Sequence, residues 1–176
     1  SQQAEVDALI TDTPGLSLVV FSADCGILLL HDPVHHAIGA IHAGWRGCAA
    51  GIAEKTVQTM TQTFGTQPKD LLAAVGPCIG PCCFETDQDV PDAMTTALGA
   101  QAALFMQRRG AKWHVDLAGL NRQWLLRAGV LPDHVETCGL CTACHPDLFW
   151  SHRKMGQARG SQIAMAALPL PEEHLP

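Results

Sequence analysis

Residues 16–43, LSLVVFSADCGILLLHDPVHHAIGAIHA, contain three apolar runs, and none of them alternates cleanly with polar residues. A strand with one wet face alternates, so runs of this kind have to be covered on both faces. The segment therefore predicts the inner strands of a sheet with packed layers above and below it. HDPVHH separates the second run from the third with a proline and polar neighbours, which makes GILLLHD (26–32) and AIGAIHA (37–43) two strands joined by a turn. DALIT (7–11), ahead of a TPG turn, and LLAAVGP (71–77) predict two more.

Elsewhere the apolar period changes. Ile52, Val57, Met60 and Phe64 recur at mainly helical spacing and predict a helix over 48–65, closed by Gly65. DVPDAMTTALGAQAALFMQR (89–108) predicts a second helical region, with Pro91 tolerated in its first turn. VDLAGLNRQWLLRAGV (115–130) predicts a third, with Leu117, Leu120, Trp124, Leu125 and Ala128 on one face. LFWSHRKMGQARGSQIAMAAL (148–168) reads as two strands joined by a glycine-containing loop. With no internal repeat and no linker, the expected architecture is α/β: a single-domain α/β sandwich with mixed β-sheets over residues 1–168, then a C-terminal tail, 169–176.

A hydrophobic share of 47% against 16% charged residues fits a folded core. A net charge of −6 with eleven Lys and Arg gives no footprint for nucleic acid or an anionic membrane. The apolar runs fall far short of the roughly 20 residues that cross a bilayer, and SQQAEVDALI has no basic n-region or cleavage site, so a cytoplasmic location is expected. The eight cysteines are expected as free thiols of a reducing compartment.

Cys25 precedes the GILLL strand and His42 ends AIGAI. If those strands pair antiparallel, a sulfur and an imidazole meet. Such a pair can belong to a zinc site with a third protein ligand and a water, act as nucleophile and base, or be a buried cysteine beside an unrelated histidine. In HAGWRG, Arg46 and the free N–H groups of a helix start would make an anion pocket, unless Arg46 is an ordinary surface charge. His152, Arg153 and Arg159 are expected on the last strand pair, turned toward the same cleft for phosphate or carboxylate, or else as edge-strand charge. GPCIGPCCFE (76–85) reads as a rigid loop in which Cys78, Cys82 and Cys83 pack as small hydrophobes. CGLCTACH (138–145) has CxxCxxC spacing but no second CxxC pair at a distance, so it is expected to bind no metal of its own. His35, His36 and His174 are expected to be exposed and carry no role.

In order and spacing, DALIT, ADC, HAGWRG, GPCIGPCCFE, CTACHPDLFWSHRK and RGSQ resemble the YfiH-like family. That family is labelled polyphenol oxidase or laccase domain, and is also described as zinc-containing purine nucleoside phosphorylases with adenosine deaminase and methylthioadenosine phosphorylase activity. The likeness runs from about Val6 to Ala167. It implies an α/β sandwich with mixed sheets and Zn2+ held by Cys25 and His42. The family's first zinc ligand is a histidine of an upstream His-Gly motif, so the chain is expected to lack the family's N-terminal portion and with it the third ligand. With the residues read above, the expected catalytic set is Cys25, His42 and Arg46. The expected substrate-binding set is Arg46, Arg153 and Arg159, and the partners are a purine nucleoside and phosphate. The alternatives are a metal-free cysteine hydrolase using Cys25 and His42, a copper-dependent polyphenol oxidase, and a non-enzymatic interaction module.

Overall fold

The HDPVHH turn closes on a buried carboxylate. Asp32 Oδ1 accepts the N–H groups of Val34 (2.9 Å) and His35 (3.0 Å), and Oδ2 lies 2.8 Å from His35 Nδ1. Burial opposes the charge of Asp32, but the facing Thr66 hydroxyl and the groups of His35 and Val34 outweigh it and hold its pKa below the ordinary value. An aspartate that bonds its own backbone two and three residues on is a turn maker, and it fixes the hairpin register.

The computed structural model describes residues 6–170. Its strands are β1 (Ala8–Thr11), β2 (Ser17–Ser22), β3 (Gly26–Asp32), β4 (Ala37–Ala43), β5 (Leu72–Val75), β6 (Glu85–Thr86), β7 (Met106–Arg109), β8 (Lys112–Val115), β9 (Val135–Thr137) and β10 (Gln162–Ala167). Its α-helices are α1 (Trp45–Ala49), α2 (Ile52–Phe64), α3 (Asp89–Leu98), α4 (Leu117–Arg127) and α5 (His152–Met155). The central sheet has the order β1-β4-β3-β5-β9, antiparallel except between β5 and β9. A ribbon of β2 and β10 and a small sheet β6-β8-β7 complete the mixed α/β fold.

As the unbroken apolar runs require, β3 and β4 are covered on both faces. Leu28, Leu30 and Ile41 pack into one core with Val57 and Met60 of α2 and Leu117, Leu120 and Leu125 of α4. Ile27, Ile38 and Ala40 face the other way, onto Leu18 and Val20 of the ribbon and Leu168. Burying a side chain the size of Leu28 or Leu30 contributes about 1.5–3 kcal/mol, so the two layers hold the sheet from both sides.

Four expectations are corrected. The helix expected over 48–65 is two helices, because Gly51 sits at φ 71°, a left-handed conformation that interrupts the hydrogen-bond run between α1 and α2. The region 89–108 is helical only to Leu98. Gly99 (φ 63°) ends α3, a 3-10 stretch follows to Phe105, and 106–109 forms β7, which hairpins through Gly110 (φ 62°) onto β8. The third helix starts at Leu117, capped by the Asp116 carboxylate accepting the Gly119 N–H at 2.9 Å, so Val115 belongs to β8. Finally, the segment 148–168 yields one strand, β10; Ser151 accepts the Lys154 N–H (3.1 Å) and starts the short α5. Arg153 therefore lies on a helix and Arg159 in the link to β10. Of the expected tail, residues 171–176, including His174, lie outside the described residues. Among the described residues, no helix is long and apolar enough to cross a membrane.

Candidate functional site

Pairing sets one half of the site by parity. Ile27 of β3 is the register partner of His42 in β4, and Ile38, Ala40 and His42 alternate onto the ribbon side of the sheet. Cys25 stands one residue ahead of β3, with its sulfur facing the His42 imidazole across Gly44. The same ring meets Asp7 Oδ1 through Nδ1 at 2.9 Å, and the His42 N–H donates to the Asp7 carbonyl at 2.7 Å. His42 is pushed up to about 9, first by the neighbouring Cys25 sulfur, against burial, and then by Asp7. Gly44 leaves room for this geometry: a Cβ there would fall 2.8 Å from Cys25 Sγ and 3.7 Å from His42 Cε1.

Asp7 was invisible as a site residue in the linear pattern. Its signal was the register, because the first residue of DALIT, one step ahead of a strand antiparallel to AIGAI, has to arrive beside His42. Asp24 was also missed. It holds a left-handed backbone at φ 85°, which aspartate tolerates better than most residues. Its buried carboxylate accepts the Thr142 hydroxyl and the Arg153 N–H, each at 2.6 Å, while its carbonyl accepts the Ile79 N–H at 2.9 Å. One residue therefore ties three distant segments to the loop that carries Cys25.

A cavity of about 370 Å³ opens beside Cys25, lined by Asp24, Trp45, Phe84, Arg153 and Arg159 among others. That volume suits a small molecule. Arg153 lines it but gives its guanidinium to the carbonyls of Cys83 and Glu85, both at 3.0 Å. Arg159 also lines it, with Nη1 donating to the Gly160 carbonyl at 3.1 Å. Arg46 stacks its exposed guanidinium 4.3 Å from the ring centroid of Trp45, so it reaches the cavity wall through that indole rather than lining it. A roomier cavity of about 620 Å³, bounded by Leu29, Leu72, His134 and Met165, contains none of these groups.

For a metal, Cys25 Sγ and the His42 nitrogen not taken by Asp7 converge as two donors of the types zinc prefers. Among the described residues no third Cys, His, Asp or Glu lies in ligand range of both. The residues present fit two corners of a zinc site.

The loops Gly76–Phe84 and Cys138–His145 make a second cluster. They run together through a parallel bridge between Cys78 and Cys141, with the Thr142 N–H on the Cys78 carbonyl at 3.1 Å. Cys82, Cys83, Cys141 and Cys144 end with their sulfurs within 4.8 Å of one another, a set that could hold a metal. CGLCTACH contributes two of these sulfurs, the adjacent Cys82 and Cys83 of the other loop contribute two more, and Cys138 stays outside. Burial and then the bond to Cys144 push Cys82 up to about 11, and Cys83 rises for the same reasons. Burial works against the Cys141 thiolate, but N–H groups, Gly80's first, hold its pKa below the ordinary value. Cys48 and Cys78 are buried and pushed up to about 12, and all eight cysteines are free.

A family model described as multi-copper polyphenol oxidoreductase laccase matches residues 1–169. A purine nucleoside phosphorylase of Bacteroides thetaiotaomicron is 39% identical over 156 residues, covering 88% of this chain and 58% of that protein. Purine nucleoside phosphorylase YlmD of Geobacillus stearothermophilus is 36% identical over 160 residues, 90% of this chain and 58% of that protein. The crystal structure of YlmD from that organism matches with a TM-score of 0.90 at 35% identity, covering 94% of this chain and 62% of that one. The crystal structure of a Bacillus licheniformis hypothetical protein, YfiH, matches at 0.89 and 35%, covering 92% and 61%. This chain thus spans less than two-thirds of the length of each.

Proposed function

Because this chain belongs to the YfiH-like family, described as multi-copper polyphenol oxidoreductase laccase, we propose that it carries the active-site half of a purine nucleoside phosphorylase. The observation that carries this reading is the meeting of Cys25 and His42 at adjoining strand ends beside an arginine-lined cavity, in a chain whose relatives bear that name. In phosphorolysis a phosphate oxygen forms the bond to C1′ as the C1′–N9 bond breaks, and the departing purine takes up a proton. The catalytic demand is to hold the anion in line and to stabilise charge on the leaving base.

Arg46, Arg153 and Arg159 are the cations assigned to phosphate. Arg159 and Arg153 border the cavity directly, and Arg46 enters by leaving the Trp45 face. Cys25 and His42 would hold Zn2+, with Asp7 fixing the ring so that one nitrogen stays free for the metal. Bound there, zinc supplies Lewis-acid chemistry, which also suits adenosine deamination by the same site. A cytoplasmic home accords with the free thiols.

The test is inosine cleavage with and without inorganic phosphate, followed by chromatography of the released base. Phosphate-dependent formation of hypoxanthine and a ribose phosphate is expected; base release indifferent to phosphate, or none by the protein with metal supplied, rejects the reading. A second reading, a metal-free cysteine hydrolase, rests on the order Cys25, His42, Asp7, a sulfur beside an imidazole that a carboxylate orients by a hydrogen bond, as nucleophile, base and orienting carboxylate. Activity that survives full chelation would select it.

A further inference from the structure

We propose that Cys82, Cys83, Cys141 and Cys144 form a second metal site, a tetrahedral four-thiolate centre for a zinc-class ion that pins the wall of the cavity in place. The four sulfurs already lie within 4.8 Å of one another, and the contacts Cys82–Cys144 and Cys83–Cys144 measure 3.5 Å. Zinc–thiolate bonds of about 2.3 Å in a tetrahedron place sulfurs about 3.8 Å apart. Two edges are therefore near their final length, and no edge has to contract by more than about 1 Å. A disulfide would instead bring two sulfurs to about 2.05 Å and leave the other two unpaired by it.

The backbone around Cys141 favours its thiolate. The Gly80 N–H points at Cys141 Sγ from 3.2 Å, a bond that stabilises charge on a metal-bound sulfur. A Cβ on Gly80 would come 3.2 Å from the Cys141 Cβ and 3.4 Å from Cys82 Sγ, so the close approach of that backbone depends on glycine. As each metal–sulfur bond forms, a protonated thiol releases its proton to solvent, and neither sulfur nor metal changes oxidation state.

The consequence reaches the cavity through two neighbours of the cluster. Thr142, between Cys141 and Cys144, bonds the Asp24 carboxylate, and Arg153 grips the Cys83 carbonyl while its own N–H reaches the same carboxylate. A metal joining the two loops would hold Asp24, and therefore the backbone leading to Cys25, through these hydrogen bonds. This centre shares no ligand with Cys25 and His42, and its existence does not depend on the proposed nucleoside chemistry.

The test uses the full chain under reductant with Cys25→Ala and His42→Ala, which removes the strand-end donors, titrated with Co2+ alone. One equivalent should give thiolate-to-cobalt charge transfer in the near ultraviolet and the intense visible bands of tetrahedral cobalt, both erased by Zn2+. Adding Cys82→Ser and Cys144→Ser should abolish those bands, whereas Cys138→Ser should keep them. Pale octahedral cobalt in the parent, bands that persist without Cys82 and Cys144, or bands lost with Cys138 alone would each overturn the proposal. Should the strand-end variant fail to fold by circular dichroism, Cys144→Ser in the otherwise unaltered chain serves instead. Its Tm should then lose the part of the Zn2+ dependence that the unaltered chain shows, and an unchanged dependence overturns the site.

Discussion

The two sulfur sites lie either side of Asp24 and are made in opposite ways. Cys25 and His42 hang from a ladder of register pairs running from Gly26–Ala43 to Asp32–Ala37, in strands buried on both faces. Cys82, Cys83, Cys141 and Cys144 hang from two loops joined by one bridge and a few hydrogen bonds. A site on the ladder inherits the stability of the core, and its geometry fails only when the sheet does. A site on loops has local stability alone, so a fastener among its own side chains has large leverage there and would be redundant at the strand ends.

The strongest way to break this contrast is Cys25→Ala. Loss of its sulfur should take inosine phosphorolysis below detection with little change in Tm, while Cys144→Ser should show the reverse, a lower Tm and activity retained at low temperature. Equal effects on both readouts would erase the distinction. Next is Asp7→Asn, which keeps the shape and removes the charge that orients His42. Zinc affinity, measured by competition with a chromophoric chelator, should fall by about 10–100-fold, while the four-thiolate cobalt spectrum is untouched. Arg46→Ala should lower inosine phosphorolysis by about tenfold, the size of one charge-assisted contact, and adenosine deamination by less. An undiminished phosphate dependence would move the anion site to Arg153 or Arg159.

The smallest effect belongs to the far end of the same hairpin. Asp32→Asn should cost about 1 kcal/mol near neutral pH, read by urea unfolding of the two proteins. Because folding lowers the Asp32 pKa, that difference is fully present above the unfolded value of 3.8 and shrinks as pH falls through the lower folded value. A difference that grows in acid would contradict the hydrogen-bond account of the turn.

What could be read beforehand follows the same division. Cys25 and His42 were legible because a strand's period of two, plus a proline turn between equal apolar runs, fixes which residues meet. Asp7 needed the further knowledge that DALIT pairs with AIGAI. The cluster was opaque, since nothing local to Cys82 says that Cys144 will lie against it, and CC beside CxxC is not the spacing by which paired motifs are recognised. The hairpin of β7 and β8 was hidden by apolar residues continuing past Leu98, where Gly99 adopts a conformation that only the chain's tertiary course reveals. In the last segment, Ser151 acts as a helix cap within a sequence whose composition suggested strand.

The β2–β10 ribbon carries a consequence for how the protein comes into being. Its register runs from Ser22–Gln162 to Ser17–Ala167, so its two strands are separated by about 140 residues of chain. Strand β2 leaves the ribosome about 140 residues ahead of β10, its register partner among the described residues. Until then Leu18 and Val20, and the ribbon-side face of β3 and β4 that they cover, lack part of their covering. Synthesis thus passes through a long interval in which His42 already has its register partner but one layer of the sandwich is incomplete, and a chaperone that shields apolar strands would be needed during that interval more than at any later time.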